Sequence, residues 1–212
     1  KMIPAIAEQG IAIFNDVFCE DGYFDIQQSL RILEVGKKYG LQPRLHADEF
    51  RDSGSATLAA KVQAITADHL MKISDKGISD LAENDVIATL LPGTTFFLGK
   101  TNYAPYHKLK KAGVEVALAT DFNPGSCNIQ SMPFIISIAC IYMQMNILDA
   151  IKGATYNSAR SLNLENKIGS IEIGKTADII VWKLERAEQI PYHVPIHPMQ
   201  YVFKNGCSVI TA

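Results

Sequence analysis

With 212 residues, 48% of them apolar and 20% charged, the chain has the length and composition of an ordinary globular protein with a sizeable core, not a disordered or fibrous one. A formal net charge of -2 and a pI near 6.2 leave no basic footprint, which argues against nucleic acid or an anionic membrane as partner. Cys19, Cys127, Cys140 and Cys207 show no paired spacing and read as reduced thiols of a cytoplasmic protein. The opening run Lys1 to Ala7 looks like the interior of a helix, so the expectation is a chain truncated at that end, and no signal-peptide pattern precedes the first strand. Ile11–Phe18 is a buried-strand candidate. Asp25 then caps a helix, with Gln28 as capping-box partner and Gly40 as its stop. Pro43–His46 is a strand, Ser55–Val62 a helix and Ala64–Asp68 a third strand. Ile78, Leu81 and Ala82 give a helical face, and Val86–Leu91 is a fourth strand closed by Pro92-Gly93. Tyr106–Lys111 is a short helix ended by Gly113, and Val114–Ala119 a fifth strand. Three helical stretches follow, Ile129–Met145, Ile147–Thr155 and Ser158–Leu162. The apolar run Met132–Met145 is too short to span a bilayer, and its Pro133 and Gln144 suit a buried helix.

Strands alternating with helices imply parallel βαβ units, in an open doubly wound sheet or a (β/α) barrel. Polar residues decide between them. His46, His69 and Asp121 lie at the ends of three different strands, as catalytic groups do in a barrel, and no Gly-rich phosphate turn marks an open-sheet switch point. The tail differs. Gly169–Val181 and Tyr201–Ile210 carry strand-like runs, the latter around Asn205-Gly206, a type I′ hairpin signal. The expected organisation is an α/β chain. Residues 1–165 form about the last five strands of a TIM-like barrel, and residues 166–212 form part of a small β module, with strands over 171–182 and 200–210.

The chemistry centres on Leu45-His-Ala-Asp-Glu-Phe50. His46 reads as a metal ligand or as a satisfied core histidine. Glu49, three residues on, reads as a proton shuttle at a metal-activated water or as a solvated loop carboxylate. His69 is a second ligand, or a group that hydrogen-bonds the water or Glu49; spacing leaves these open. Asp121 ends an apolar strand, where a carboxylate needs a cation or donors. Asn123, Gly125 and Ser126 form a tight loop, either plain turn chemistry or a cradle of N–H groups and small polar side chains for a polar substrate. His193 and His197 are four apart, but Pro191, Pro195 and Pro198 exclude the helix that would align them, so they read as loop residues. His107 reads as exposed, and Cys19-Glu20, at the end of the first strand, as a contact to a site or, in the plainer reading, as a buried thiol beside a capping carboxylate. A catalytic zinc-type site wants three protein ligands; His46 and Asp121 are the two that stand out.

These residues resemble the imidazolonepropionase family, metal-dependent amidohydrolases of histidine degradation. The matching runs are Asp16-Val-Phe-Cys-Glu20, Leu45-His-Ala-Asp-Glu-Phe50, Ala67-Asp-His-Leu70, Leu91-Pro-Gly93, Ala117 to Ser126 and Ile168 to Ile179. The resemblance covers essentially the whole chain, as the C-terminal portion of such an enzyme. It implies hydrolysis of the ring of 4-imidazolone-5-propanoate to N-formimidoyl-L-glutamate with one zinc or iron ion. It also implies metal ligands at His46 and Asp121, substrate and water contact at Glu49, and assistance to that water from His69. Substrate or product binding would fall to Asn123, Gly125 and Ser126. The family's further ligands, a His-x-His pair after the first barrel strand, have no counterpart in these 212 residues, so the segment by itself is expected to be inactive. The expected partner is a small molecule, with no nucleic acid or membrane, and a homodimer stays open. Two rival functions remain at this stage: a nucleobase-type deaminase of the same superfamily, and a non-catalytic fragment.

Overall fold

The structure is a computed structural model that describes all residues except 195, 197 and 212. His197 therefore lies outside the described residues. The chain divides into two compact units, one of residues 1–90 and 102–116, the other of 91–101 and 117–212.

In the first unit, helix α1 (Met2–Glu8) precedes strand β1 (Phe14–Cys19), helix α2 (Ile26–Lys38) and strand β2 (Gln42–Ala47). Next come α3 (Ser55–Lys61), β3 (Thr66–His69), α4 (Asp75–Glu83) and β4 (Ile87–Leu90). Strands β1 to β4 each pair in parallel with their chain neighbours. Strand β5 (Val116–Leu118), preceded by α6 (Tyr106–Lys111), follows in the sheet order, with the Ala88 N–H donating to Glu115 O at 2.9 Å. The α/β class with a parallel sheet is thus as expected, with every strand end moved by one to three residues.

The helices begin where the sequence supplies caps. The Asp25 carboxylate accepts the Gln28 N–H at 2.8 Å while Gln28 returns a bond to the Asp25 N–H at 3.1 Å, which completes the expected capping box. Ser74 caps α4 by accepting from Gly77 N at 3.3 Å.

Alternation along β1 and β2 sorts the side chains. Val17, Cys19, Pro43, Leu45 and Ala47 are buried on one face; Asp16, Phe18, Arg44 and His46 take the other. Behind the buried face, α2 packs so closely that a Cβ added at Gly36 would lie 2.3 Å from Asn15 Oδ1. Replacing Gly36 with alanine is therefore expected to destabilise the protein by about 1–3 kcal/mol, the usual cost of overpacking, although alanine is the better helix former. Urea unfolding measures it; an unchanged midpoint would show that the helix shifts freely.

In the second unit, Pro92-Gly93 does not merely close a strand. It opens a further helix, α5 (Pro92–Phe97), with proline in the first turn, where its missing N–H costs nothing. Helices α7 (Met132–Tyr142), α8 (Ile147–Ala154) and α9 (Tyr156–Arg160) follow. Ser131 caps α7, whose Ile135, Ile136, Ile138 and Ala139 are buried, as expected of that apolar run. Among the described residues no helix is long and apolar enough to cross a membrane.

The tail forms a three-stranded antiparallel sheet of β6 (Ile179–Trp182), β7 (Met199–Lys204) and β8 (Cys207–Thr211), in that order. Asn205 and Gly206 both have positive φ, 52° and 77°, as the type I′ reading requires. The strand expected over 171–182 is real only from 179. Before it the Lys175 N–H donates to Glu172 O at 3.2 Å across a turn with Gly174 at φ 92°, which breaks the Ile171/Ile173 alternation. All four cysteines are free thiols.

Candidate active site

The C-terminal ends of β2 and β3 gather three of the residues singled out by sequence. His46 sits in β2, with its ring centroid 5.2 Å from that of His69, the last residue of β3. Glu49 lies in the loop after β2, and its Oε2 is 3.7 Å from His69 Nε2, longer than a direct hydrogen bond. Glu49 and His69 are buried, 8% and 3% exposed, whereas the His46 side chain keeps 32% of its surface.

Burial, reinforced by the neighbouring His46, pushes the His69 pKa down to about 3. The ring is then neutral at physiological pH, so its approach to Glu49 is not an ion pair. Its Nδ1 is buried without a hydrogen-bond partner among the described residues. Because the unfolded ring binds a proton near pH 6.5 and the folded ring only near 3, stability should fall as pH drops through that window. His69 ring resonances are accordingly expected to show no titration between pH 8 and 5 by NMR; a midpoint near 6.5 would contradict the buried neutral ring.

What holds Glu49 in place was not read from the sequence. Asp48, fully buried at φ 47°, turns its carboxylate onto the start of α3. Its Oδ1 accepts from Ser53 N at 3.0 Å, Ser55 N at 3.2 Å and Ser55 Oγ at 2.8 Å; its Oδ2 accepts from Ala56 N at 3.2 Å. Gly54, at the N-cap, offers no side chain, so Asp48 caps this helix from a distance. From the other side, Glu20 Oε2 accepts the Phe50 N–H at 2.9 Å. Glu20 is 2% exposed and is not a helix cap, since α2 is capped by Asp25; what it holds is the loop bearing Glu49. The signal for Asp48 was its place between His46 and Glu49 with Ser53 and Ser55 downstream; nothing local marks Glu20 as the partner of a loop 30 residues on.

Beneath His46 lies a charged layer. Asp16, His46 and Asp68 bring ligand-type atoms within 4.8 Å of one another. Asp68 is buried, and desolvation raises its pKa against the opposing pull of Arg44 and Thr66. Arg44 Nη2 lies 3.5 Å from Asp68 Oδ2, and the Thr66 hydroxyl donates to Asp68 Oδ1 at 2.6 Å.

In the second unit Asp121 follows β5 at φ 54°, and the buried Thr94 hydroxyl donates to its Oδ2. A Cβ at Gly93 would come within 2.7 Å of Ile135 Cδ1 and 3.2 Å of Thr120 O, so a larger residue there would push the Ile135 side chain aside. Asn123 Oδ1 accepts the N–H groups of Gly125 and Ser126, each at 2.8 Å, while Asn123 Nδ2 donates to Asp121 O at 2.7 Å. Those two N–H groups thus close the loop on itself, the turn chemistry of the plainer reading. His107 and Cys207 are exposed, and His193 sits at a bend.

Residues 30–211 match the model of the amidohydrolase family. The chain belongs to the amidohydrolase family. It is 47% identical over 210 residues to the imidazolonepropionase of Geobacillus sp. (strain WCH70), covering 99% of this chain and 49% of that protein. It is 42% identical over 210 residues to the imidazolonepropionase of Alkaliphilus oremlandii (strain OhILAs), covering 99% of this chain and 50% of the relative. The chain thus spans about half the length of the curated relatives it matches, which fits the expected resemblance to a portion of such an enzyme. Among solved structures, an adenosine deaminase from Xanthomonas campestris with bound zinc superposes with a TM-score of 0.80 at 19% identity, over 99% of this chain and 55% of that one. At that identity the likeness speaks for the fold, the TIM-like barrel class read from the strand–helix alternation.

The amidohydrolase fold implies a metal, and the donor chemistry here suits one. His46 and His69 are adjacent imidazoles, the latter neutral with an unsatisfied ring nitrogen, and a buried carboxyl stands beside them. Imidazole with carboxylate is a donor set for zinc or iron.

Proposed function

We propose that the chain is part of an imidazolonepropionase, which opens the ring of 4-imidazolone-5-propanoate with water to give N-formimidoyl-L-glutamate. The observation that carries this reading is the grouping of His46, Glu49 and His69 at the ends of β2 and β3, in a chain 42–47% identical to imidazolonepropionases over almost its whole length.

One divalent metal, zinc or iron, is proposed, with His46 and Asp121 among its ligands. Each is held within its own unit, His46 against Asp16 and Asp121 by Thr94. When bound, the metal supplies Lewis acidity and a more acidic water. Glu49 takes a proton from the attacking water and hands it to the departing ring nitrogen, a general acid–base role. Its loop is fixed on both sides, by Asp48 and Glu20, so the carboxyl spends little freedom in reaching that geometry. His69, neutral and buried, orients the water and steadies the negative charge that develops on the carbonyl oxygen as the tetrahedral centre forms. Asn123, Gly125 and Ser126 meet the substrate, from a loop that Asn123 also closes by accepting the N–H groups of the other two. The proposed setting is cytoplasmic, the partner a small molecule, with neither nucleic acid nor membrane involved and a homodimer as the assembly to test. Residues 1–165 belong to the barrel and 166–212 to the small β module in this proposal.

The test is a coupled assay on the full-length protein. Loss of the imidazolone chromophore with formation of formimidoylglutamate is the expected result; ammonia release from a nucleobase without imidazolone turnover would replace the reading with a deaminase.

A further inference from the structure

We infer that Asp16 is a positioning residue that holds His46 as the Nδ1–H tautomer and so presents Nε2 as the ligating nitrogen. The inference rests on the proposed ligand role of His46. Asp16 lies on β1 opposite Arg44, one pleat away from Phe18, the register partner of His46. That diagonal placement, on the same sheet face, lets a carboxylate reach across the strand gap. The contact is close on both oxygens: Asp16 Oδ2 is 2.9 Å and Oδ1 3.1 Å from His46 Nδ1.

A carboxylate only accepts, so the shared proton sits on Nδ1. In a neutral imidazole the lone pair is then on Nε2, and a carboxylate behind the ring also makes that nitrogen more basic. The neighbouring carboxylate does not compete for this role. Asp68, opposite His46 on β3, is engaged by Arg44 at 3.5 Å and by the Thr66 hydroxyl at 2.6 Å. Arg44 also lies over the Phe14 ring of β1, 5.3 Å from its centroid. The two carboxylates near His46 are thereby sorted, one to the arginine and one to the histidine. The Phe18 ring, 5.5 Å from the imidazole, limits its rotation from the β1 side.

Nitrogen-15 NMR of histidine-labelled protein reads the tautomer directly, without metal or substrate. The wild-type protein is expected to show His46 with Nδ1 protonated. In Asp16→Asn, whose amide can donate to Nδ1, the proton should move to Nε2, and Asp16→Glu should restore the original form. Zinc retained by the full-length protein against a chelator is expected to fall about 10- to 100-fold in affinity for Asp16→Asn, the usual cost of losing a carboxylate behind a ligating histidine. A wild-type His46 protonated at Nε2 overturns the inference without recourse to any variant. A tautomer unchanged in Asp16→Asn overturns it as well, as does a tautomer that moves with unchanged zinc affinity. If His46→Ala also leaves zinc affinity untouched, the ligand reading of His46 falls, while the Asp16 contact itself stands on the NMR result.

Discussion

Glu49→Gln is expected to lower kcat by a factor of ~10² or more in the metal-loaded full-length enzyme while leaving the metal in place. Glutamine matches the shape of glutamate and makes no demand on Asp48 or Glu20, whose bonds go to the backbone and serines of the loop, so the geometry should survive. What is lost is the group that accepts a proton and returns it. His69 does not take over, because its ring, with a pKa near 3, is a weak base at neutral pH. His46→Ala is expected to fail differently, with metal content and activity lost together. Metal stoichiometry and ring-opening rate, measured side by side on both variants, separate the roles. Near wild-type turnover by Glu49→Gln would reduce Glu49 to a loop carboxylate and leave His69 as the leading candidate for the base.

The second large effect is on stability. Asp48→Ala is expected to destabilise the protein by about 3 kcal/mol. Loss of a helix cap typically costs ~1–2 kcal/mol, and a buried donor left unsatisfied adds ~1–3 kcal/mol. The Asp48 carboxylate serves both functions, accepting from Ser55 N and Ala56 N at the head of α3 and from Ser53 N in the preceding loop. Ser55→Ala, which removes one hydroxyl from the same network, should cost less, near 1 kcal/mol. Denaturant midpoints at constant m-value provide the measure. A shift for Asp48→Ala no larger than that for Ser55→Ala would mean that water replaces the carboxylate and the loop is not organised by it.

Local signals were readable wherever one segment contains all its own partners. The capping box of Asp25 and Gln28 and the Asn205-Gly206 hairpin formed as their residues required. Strand ends were less legible. Ile11 and Ile13 look like strand residues, yet pairing starts at Phe14, because a strand ends where its neighbour's hydrogen bonds end. Ile171 and Ile173 misled for the related reason that alternation alone does not supply a partner strand. At the candidate site, His46, Glu49 and His69 were legible as residue types at strand ends, but Asp16, Asp48, Glu20 and Thr94 were not. Asp16 bonds a residue 30 positions away and Thr94 one 27 positions away, distances at which sequence carries no pairing rule.

The amino-acid sequence by itself determined the alternation of strands and helices, the faces they bury and the set of side chains able to do hydrolytic chemistry. Hydrophobic period and turn residues are local properties of the chain, and a histidine at the end of an apolar strand is polar wherever the strand is placed. Only the tertiary structure decided which acidic side chain stands behind His46, that His69 is buried and neutral, and that Asp48 points into a helix rather than toward solvent. Those outcomes depend on parallel register and on water exclusion, which exist only once the strands have paired and the helices have covered them.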